Sequence, residues 1–327
     1  MRAIVIRSPG GPEVLELCDI PEPDPPYGHV RVRVQAAGVN RADLMQRAGH
    51  YPAPPGVPSD IPGLEYAGTV DAVGPGVTRF SGGERVYGLV AGGAYAEKIV
   101  VHERETVAVP EGLSDEEAAS VPEAFLTALD ALLVRGHLAP GERVLVHAAG
   151  SGVGTAGIQI ARALGCLVIG TSRTEDKLER CRSLGMDAGV VAEGGKFADK
   201  VIALSKGGVD VVLDLVGGAY LADTIASCAP RARIVAVGLT AGARAELDLG
   251  AVLRKRLEIV GTVMRARPLE EKIEAARLLD KTLGPWIARG VVKPVIDRVF
   301  ALGDARDAHT YVASNASFGK VLLDARR

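Results

Sequence analysis

The stretch Arg143-Val-Leu-Val-His-Ala-Ala-Gly-Ser-Gly-Val-Gly-Thr155 decides the reading of this chain. An apolar run, Val144 to Val146, ends in small residues, and these lead into Gly-Ile-Gln-Ile-Ala-Arg-Ala-Leu-Gly165, whose apolar spacing is helical. Strand, glycine-rich turn and helix form the layout of a dinucleotide-binding βαβ unit. Small residues let backbone N–H groups approach a pyrophosphate, and the helix N-terminus adds partial positive charge. Gly152, Val153 and Gly154 are the expected pyrophosphate contacts, with Ser151 in the turn. Ser151 is not a hydrolase nucleophile by pattern, because that elbow needs glycine two residues to either side and this chain has Ala149 and Val153.

The region about 20 residues further on selects the nucleotide. It reads Ile169-Gly-Thr-Ser-Arg-Thr-Glu-Asp-Lys177, with no acid at the strand end to hold a ribose 2′-hydroxyl. Ser172, Arg173 and Lys177 instead offer a hydrogen-bond donor and cations, which suits a 2′-phosphate and favours NADPH over NADH. Glu175 and Asp176 oppose this if they face the phosphate. Gly217, after Asp214, and Gly238 with Leu239 follow two later apolar strands, at the carboxyl ends where open α/β sheets bind ligands.

Around this unit the chain changes character. Residues 1–121 are rich in Gly, Pro, Val and turn signals, as in a barrel of short antiparallel strands. Val30-Arg-Val-Arg-Val34 alternates with period two, and Ser114-Asp-Glu-Glu117 is a capping box. Residues 122–264 alternate helix and strand, with strands expected at 144–147, 167–170, 189–192, 209–213, 233–237 and 259–263. A helix over Leu269–Leu283 and strands at 293–300 and 319–323 follow. A tail of ~60 residues cannot easily bury a core alone, so residues 265–327 are expected to return and complete the first domain.

Composition bounds the function. The 327 residues suffice for two domains; 47% are apolar and 24% charged, as in a globular protein. A net charge of −2 and 4% aromatics argue against nucleic acid or an anionic membrane as partner. The opening Met-Arg-Ala-Ile-Val-Ile-Arg7 is too short an apolar stretch for a signal peptide, and no run is long enough to span a bilayer, so a cytoplasmic location is expected. Cys18, Cys166, Cys181 and Cys228 form no CxxC pair and stand near no histidine at ligand spacing. The six histidines show no triad or metal spacing and read as structural, with His147 placed to support the cofactor turn.

The segments Gly10-Gly-Pro-Glu13, Ala37-Gly-Val-Asn-Arg-Ala-Asp-Leu-Met-Gln-Arg47, Gly49-His-Tyr51, Pro52-Ala-Pro-Pro-Gly56, Gly63-Leu-Glu65, Pro122-Glu-Ala124, Thr127-Ala128, His147–Thr155 and Gly319-Lys-Val-Leu322 carry a resemblance. Over essentially its whole length the chain resembles the zinc-independent quinone oxidoreductases of the medium-chain dehydrogenase/reductase superfamily, and within them the p53-inducible quinone oxidoreductase group. The resemblance implies a GroES-like β-barrel catalytic domain plus a Rossmann doubly wound parallel sheet, with NADPH in the cleft between them. It implies hydride transfer to a small-molecule quinone or conjugated carbonyl. By position, Asn40, Tyr51, Thr127 and Ser151 would line the nicotinamide end. Tyr51 is the expected donor to the developing oxyanion, with Asn40 and Ser151 orienting substrate and cofactor. Zinc relatives place ligands where this chain has Asn40, Leu64 and Glu123, so no metal is expected. The family's aromatic contact to the adenosine phosphate falls at Ala192. The strand near Leu257–Val263 comes last in the series, and a homodimer through these sheet edges is the expectation. The alternatives are an NADPH-dependent enone or enoyl reductase, and a low-turnover NADPH-binding sensor.

Overall fold

The computed structural model describes all 327 residues, and the chain separates into two compact units. Met1–Leu126 and Met264–Arg327 form the terminal unit; Thr127–Val263 form the central unit. The first division falls five residues later than the sequence suggests. It lies inside a helix, Pro122–Leu129, rather than in a linker.

The strands, in chain order, are β1 (Arg2–Ile6), β2 (Leu15–Asp19), β3 (His29–Val39), β4 (Glu65–Val73), β5 (Arg85–Leu89), β6 (Lys98–His102), β7 (Thr106–Ala108), β8 (Arg143–Val146), β9 (Leu167–Ser172), β10 (Ala188–Val191), β11 (Val209–Asp214), β12 (Cys228–Ala236), β13 (Glu258–Gly261), β14 (Ile296–Ala301) and β15 (Lys320–Asp324).

In the terminal unit, β14, β15, β3, β4, β5 and β7 pair in that order and β6 pairs with the other end of β3. The long β3 organises this sheet. Val30, Val32 and Val34 are buried on one face, the period-two alternation made solid. Its pairing with β4 shifts register between Arg31 and Val32 and again between Val34 and Ala36, and such bulges bend a strand. The bend lets one strand serve β4, β6 and β15. In the tail, Val321 of β15 pairs antiparallel with Val39 of β3. Helix Leu269–Leu278 stops short of the expected Leu283, the chain continuing in wider π-type turns over Leu279–Leu283.

In the central unit all six strands are parallel, in the order β10-β9-β8-β11-β12-β13. Numbered from β8, this is the 3-2-1-4-5-6 order of the doubly wound dinucleotide fold. The two central strands are sealed on both faces, with Val144, Leu145, Val146, Val211, Val212 and Leu213 all at 0% exposure. That explains their continuous apolar runs. The strand order reverses between β8 and β11, and open α/β sheets bind ligands outside the carboxyl ends of the strands at this switch. Edge strand β13 leaves Ile259 exposed, and Val263 just beyond it is exposed as well. No helix is long and apolar enough to cross a membrane.

Candidate active site

Strand register builds the first cluster in the terminal unit. With Val321 opposite Val39, Lys320 lies beside Asn40. Tyr66 of β4 pairs with Ala37, so Glu65 reaches over Gly38, where a Cβ would overlap its carboxyl. Lys320 Nζ donates to Asn40 Oδ1 at 2.5 Å and to Glu65 Oε1. Asn40 Nδ2 donates to the same Glu65 oxygen at 2.9 Å, and the Glu123 N–H donates to Glu65 Oε2 at 2.8 Å. Glu65 is fully buried and Lys320 nearly so. A buried ion pair persists only when hydrogen bonds also satisfy its remaining lone pairs, and these do.

Both polar atoms of Asn40 are thus committed to Glu65 and Lys320. Asn40 also precedes helix Arg41–Arg47, whose Asp43 is fully buried. Asp43 accepts from the N–H groups of Asn40 (2.8 Å) and Gly63 (3.1 Å) and from the Tyr95 hydroxyl (3.2 Å). Burial outweighs these donors and pushes its carboxyl up to about 6.

Tyr51 is held by a residue the sequence reading missed. The guanidinium of Arg265, which is 4% exposed, lies 4.9 Å from the centre of the Tyr51 ring. Its nitrogens donate to the carbonyls of Tyr51 (2.9 Å) and Ala91 (2.7 Å) and to Gln46 Oε1 (2.6 Å). Burial, then the nearby Glu123 carboxyl, push the Tyr51 phenol above its ordinary value, against the pull of Arg265. The phenol therefore keeps its proton at neutral pH and has it to donate. Glu123 itself is half-buried. Burial first, then the Glu65 charge, push its carboxyl up to about 8, with Lys320 and Arg265 opposing.

In the central unit the chain leaves β8 through Ala148, which takes φ +48°, and enters helix Gly152–Ala163. Ser151 caps that helix: its Oγ accepts from the Gly154 N–H at 3.0 Å. The N–H groups of Gly152 and Val153 have no acceptor within the protein. Gly154 is required by the backbone, since a Cβ there would lie 2.5 Å from the Ala148 carbonyl oxygen and 2.6 Å from that of Ala149. Thr127 is buried, and its Oγ1 has no hydrogen-bond partner. Its neighbour Ala128 faces Gly157 on the helix after β8.

At the end of β9, Ser172 is buried and its Oγ accepts from the Thr174 N–H at 3.3 Å, while Arg173 is exposed. Lys177 follows in helix Glu175–Arg182, half-exposed. Thr174 first, and then Lys177, hold the Asp176 carboxyl below its usual range, so this acid is already engaged by its neighbours. After β11, Asp214 Oδ1 accepts from the N–H groups of Val216 and Gly217, both at 2.9 Å. Gly217 takes φ +62°, open to glycine, and a Cβ there would meet Leu239 Cδ2 at 2.9 Å. Gly238 has its own reason, since a Cβ would lie 2.6 Å from the Leu215 carbonyl oxygen. The fold thus brings the loops after β8, β11 and β12 to one sheet end, with Ser172, Arg173 and Lys177 one strand over.

His147 supports this end. It is fully buried, with its ring nitrogens 2.8 Å from Thr171 Oγ1 and 3.0 Å from Thr224 Oγ1, between the rings of Phe197 and Tyr220. Burial pushes its imidazole down to about 4, so it is neutral at physiological pH and no proton donor.

Residues 26–111 match the alcohol dehydrogenase GroES-like domain, and residues 152–281 match the zinc-binding dehydrogenase domain. A quinone oxidoreductase of Pseudomonas aeruginosa is 37% identical over 323 residues, 96% of each chain. The solved Escherichia coli quinone oxidoreductase complexed with NADPH is 30% identical at a TM-score of 0.89, covering 99% of this chain and 100% of that one. A solved NAD-dependent alcohol dehydrogenase is 35% identical, also at 0.89 and with the same coverage. The zinc in the second domain's description does not fit these residues. Of the three positions where zinc relatives carry ligands, Leu64 offers no donor atom and Asn40 turns its oxygen to the Lys320 ammonium. The chain belongs to the quinone oxidoreductase family of the medium-chain dehydrogenase/reductase superfamily, and it is an oxidoreductase.

Proposed function

We propose that this chain is an NADPH-dependent, zinc-independent reductase that transfers hydride to quinones. The observation that carries the reading is the pair of helix-start amides without a protein acceptor, Gly152 and Val153, at the carboxyl end of β8. Unpaired amides at a helix N-terminus attract anions, and a pyrophosphate would satisfy them. When bound, the nucleotide supplies the hydride. Gly152, Val153 and Gly154 would hold the pyrophosphate, with Gly217, Gly238 and Leu239 as further walls. Ser172, Arg173 and Lys177 would take the 2′-phosphate. Ser151 would present its hydroxyl proton, free because its oxygen serves as the helix cap.

In the terminal unit, Tyr51 would hold the developing oxyanion of the acceptor by hydrogen bond, braced by Arg265. Asn40 acts from the Glu65–Lys320 cluster, which locks its amide orientation. The finer expectations are a homodimer through the exposed β13 edges and a cytoplasmic location.

The test is NADPH oxidation by the purified protein with an ortho-quinone, with NADH alongside. Turnover that prefers NADPH, and loses that preference in Arg173→Ala/Lys177→Ala, supports the reading. NADPH binding with no quinone turnover overturns it; reduction of an enone in the same assay would then favour the conjugated-alkene reductase.

A further inference from the structure

In the central unit the ring of Tyr220 is held firmly while its hydroxyl has no partner in the chain. Tyr220 follows β11, at the end of the short turn Gly218–Tyr220, and is half-buried. Its ring centre lies 5.2 Å from that of Phe197 and 5.4 Å from that of His147. It packs against the apolar cluster that contains Ala192 and Phe197. The segment between those two residues passes beside it: a Cβ on Gly195 would stand 3.7 Å from the Tyr220 ring. Asp223, in the helix Leu221–Ser227 that continues from Tyr220, fastens this segment. It accepts from Lys196 Nζ (3.0 Å) and from the N–H groups of Phe197 (2.8 Å) and Ala198 (3.1 Å).

These contacts set the ring at the end of β9. The Ala192 N–H donates to the Ser172 carbonyl at 2.9 Å, and the His147 ring that Tyr220 abuts is itself 2.8 Å from Thr171 Oγ1. Arg173 follows directly, near enough to draw the Tyr220 phenol down against the burial that raises it. Three donors at this strand end thus lack an acceptor in the protein. The Tyr220 hydroxyl and the exposed Arg173 guanidinium make no hydrogen bond to the chain. The Ser172 oxygen serves the Thr174 N–H, which leaves its proton for another acceptor. A tyrosine with a buried ring usually finds a partner for its hydroxyl. A phosphate would supply acceptor oxygens to all three, and hydrogen bonds to an ionised group are the strong ones.

We propose that Tyr220 is a nucleotide-selecting residue, its hydroxyl donating to the 2′-phosphate of NADPH beside Ser172 and Arg173. The inference rests on the NADPH reading above and adds a donor from the loop after β11 to those at the end of β9. The packing gives this donor its value. The ring is already wedged between Phe197, His147 and the segment at Gly195, so little side-chain freedom is lost on binding. Arg173, by contrast, is a long exposed side chain that must be ordered as it binds.

The test is calorimetric titration of the nucleotide-free protein with adenosine 2′,5′-bisphosphate and with adenosine 5′-monophosphate, which differ only in the 2′-phosphate. Wild type is expected to bind the bisphosphate more tightly. Y220F keeps the packed ring and removes only the hydroxyl. It should weaken the bisphosphate about tenfold or more, the loss of one hydrogen bond to a charged group, and leave the monophosphate within about twofold. Its melting temperature should match wild type, because the hydroxyl bonds to nothing in the chain. A Y220F protein that keeps the wild-type ratio of the two affinities overturns the assignment. So does one that weakens both nucleotides equally, since the ring would then serve packing alone. R173A separates this from the reading beneath it. If R173A loses the preference for the bisphosphate and Y220F does not, the NADPH reading stands and the role of Tyr220 falls. A wild type that binds the two nucleotides equally overturns the NADPH reading, and this assignment with it.

Discussion

The groups assigned to the nucleotide in the central unit sit within a few residues of strand ends, and most act through the backbone: the amides of Gly152 and Val153, the bare Cα of Gly154, the turn at Gly217. The polar cluster of the terminal unit is assembled from side chains at positions 40, 51, 65, 123, 265 and 320, brought together by sheet pairing and one arginine. The centres of the two networks differ in charge as well. His147 is neutral and shared between two threonine hydroxyls, whereas Glu65 and Lys320 form a buried ion pair. One region presents backbone donors at the start of a helix; the other pairs its buried charges internally.

The largest expected effect follows from that buried pair. Lys320→Met leaves the Glu65 carboxylate, at 0% exposure, without its cation. Breaking a buried pair from one side costs about 3–5 kcal/mol, because the partner charge stays buried. Urea unfolding followed by circular dichroism should show this loss, and adding Glu65→Gln should recover most of it, since the two sites are directly coupled. A loss below about 1 kcal/mol would place the pair with ordinary surface bridges and erase the contrast with the central unit.

The same contrast explains what could be read from the residues. The doubly wound sheet and its turn were legible because the signal is local: an apolar run, small residues, then helical spacing, all within Arg143–Gly165. Lys320 and Glu65 stood inside recognised segments, Gly319-Lys-Val-Leu322 and Gly63-Leu-Glu65, yet nothing along the chain says that one faces the other. Only the register, Val321 on Val39 and Tyr66 on Ala37, supplies that. Arg265 had no motif around it at all. The full commitment of Asn40 to Glu65 and Lys320 needed side-chain geometry. The one local hint was chemical: an acid and a lysine, each flanking a buried strand.

Gly154→Ala sharpens the other side of the comparison. The new methyl would stand 2.5 Å and 2.6 Å from two backbone carbonyl oxygens, which cannot swing away as a side chain could. Forcing a methyl into such a site costs typically about 1–3 kcal/mol and shifts backbone. The shift falls on the first turn of the helix, so NADPH affinity by calorimetry should drop together with stability. A variant with wild-type affinity would show that the turn does not hold the nucleotide through its backbone.

Ser151→Ala is the smallest change and separates two roles of one hydroxyl. Its oxygen caps the helix through the Gly154 N–H, and losing such a cap costs typically about 1 kcal/mol. The alanine leaves the Gly152 and Val153 amides in place. If Ser151 serves only the helix, melting falls slightly and NADPH affinity weakens by less than about tenfold, the size of a 1.4 kcal/mol change. If its hydroxyl proton also orients the nicotinamide, kcat must fall further than affinity does, because misplacing a reacting group raises the barrier without weakening ground-state binding to match. A variant whose kcat and affinity decline in equal proportion would confine Ser151 to the backbone logic of the central unit, and the orienting role would pass to Thr127, whose buried hydroxyl has no partner within the protein.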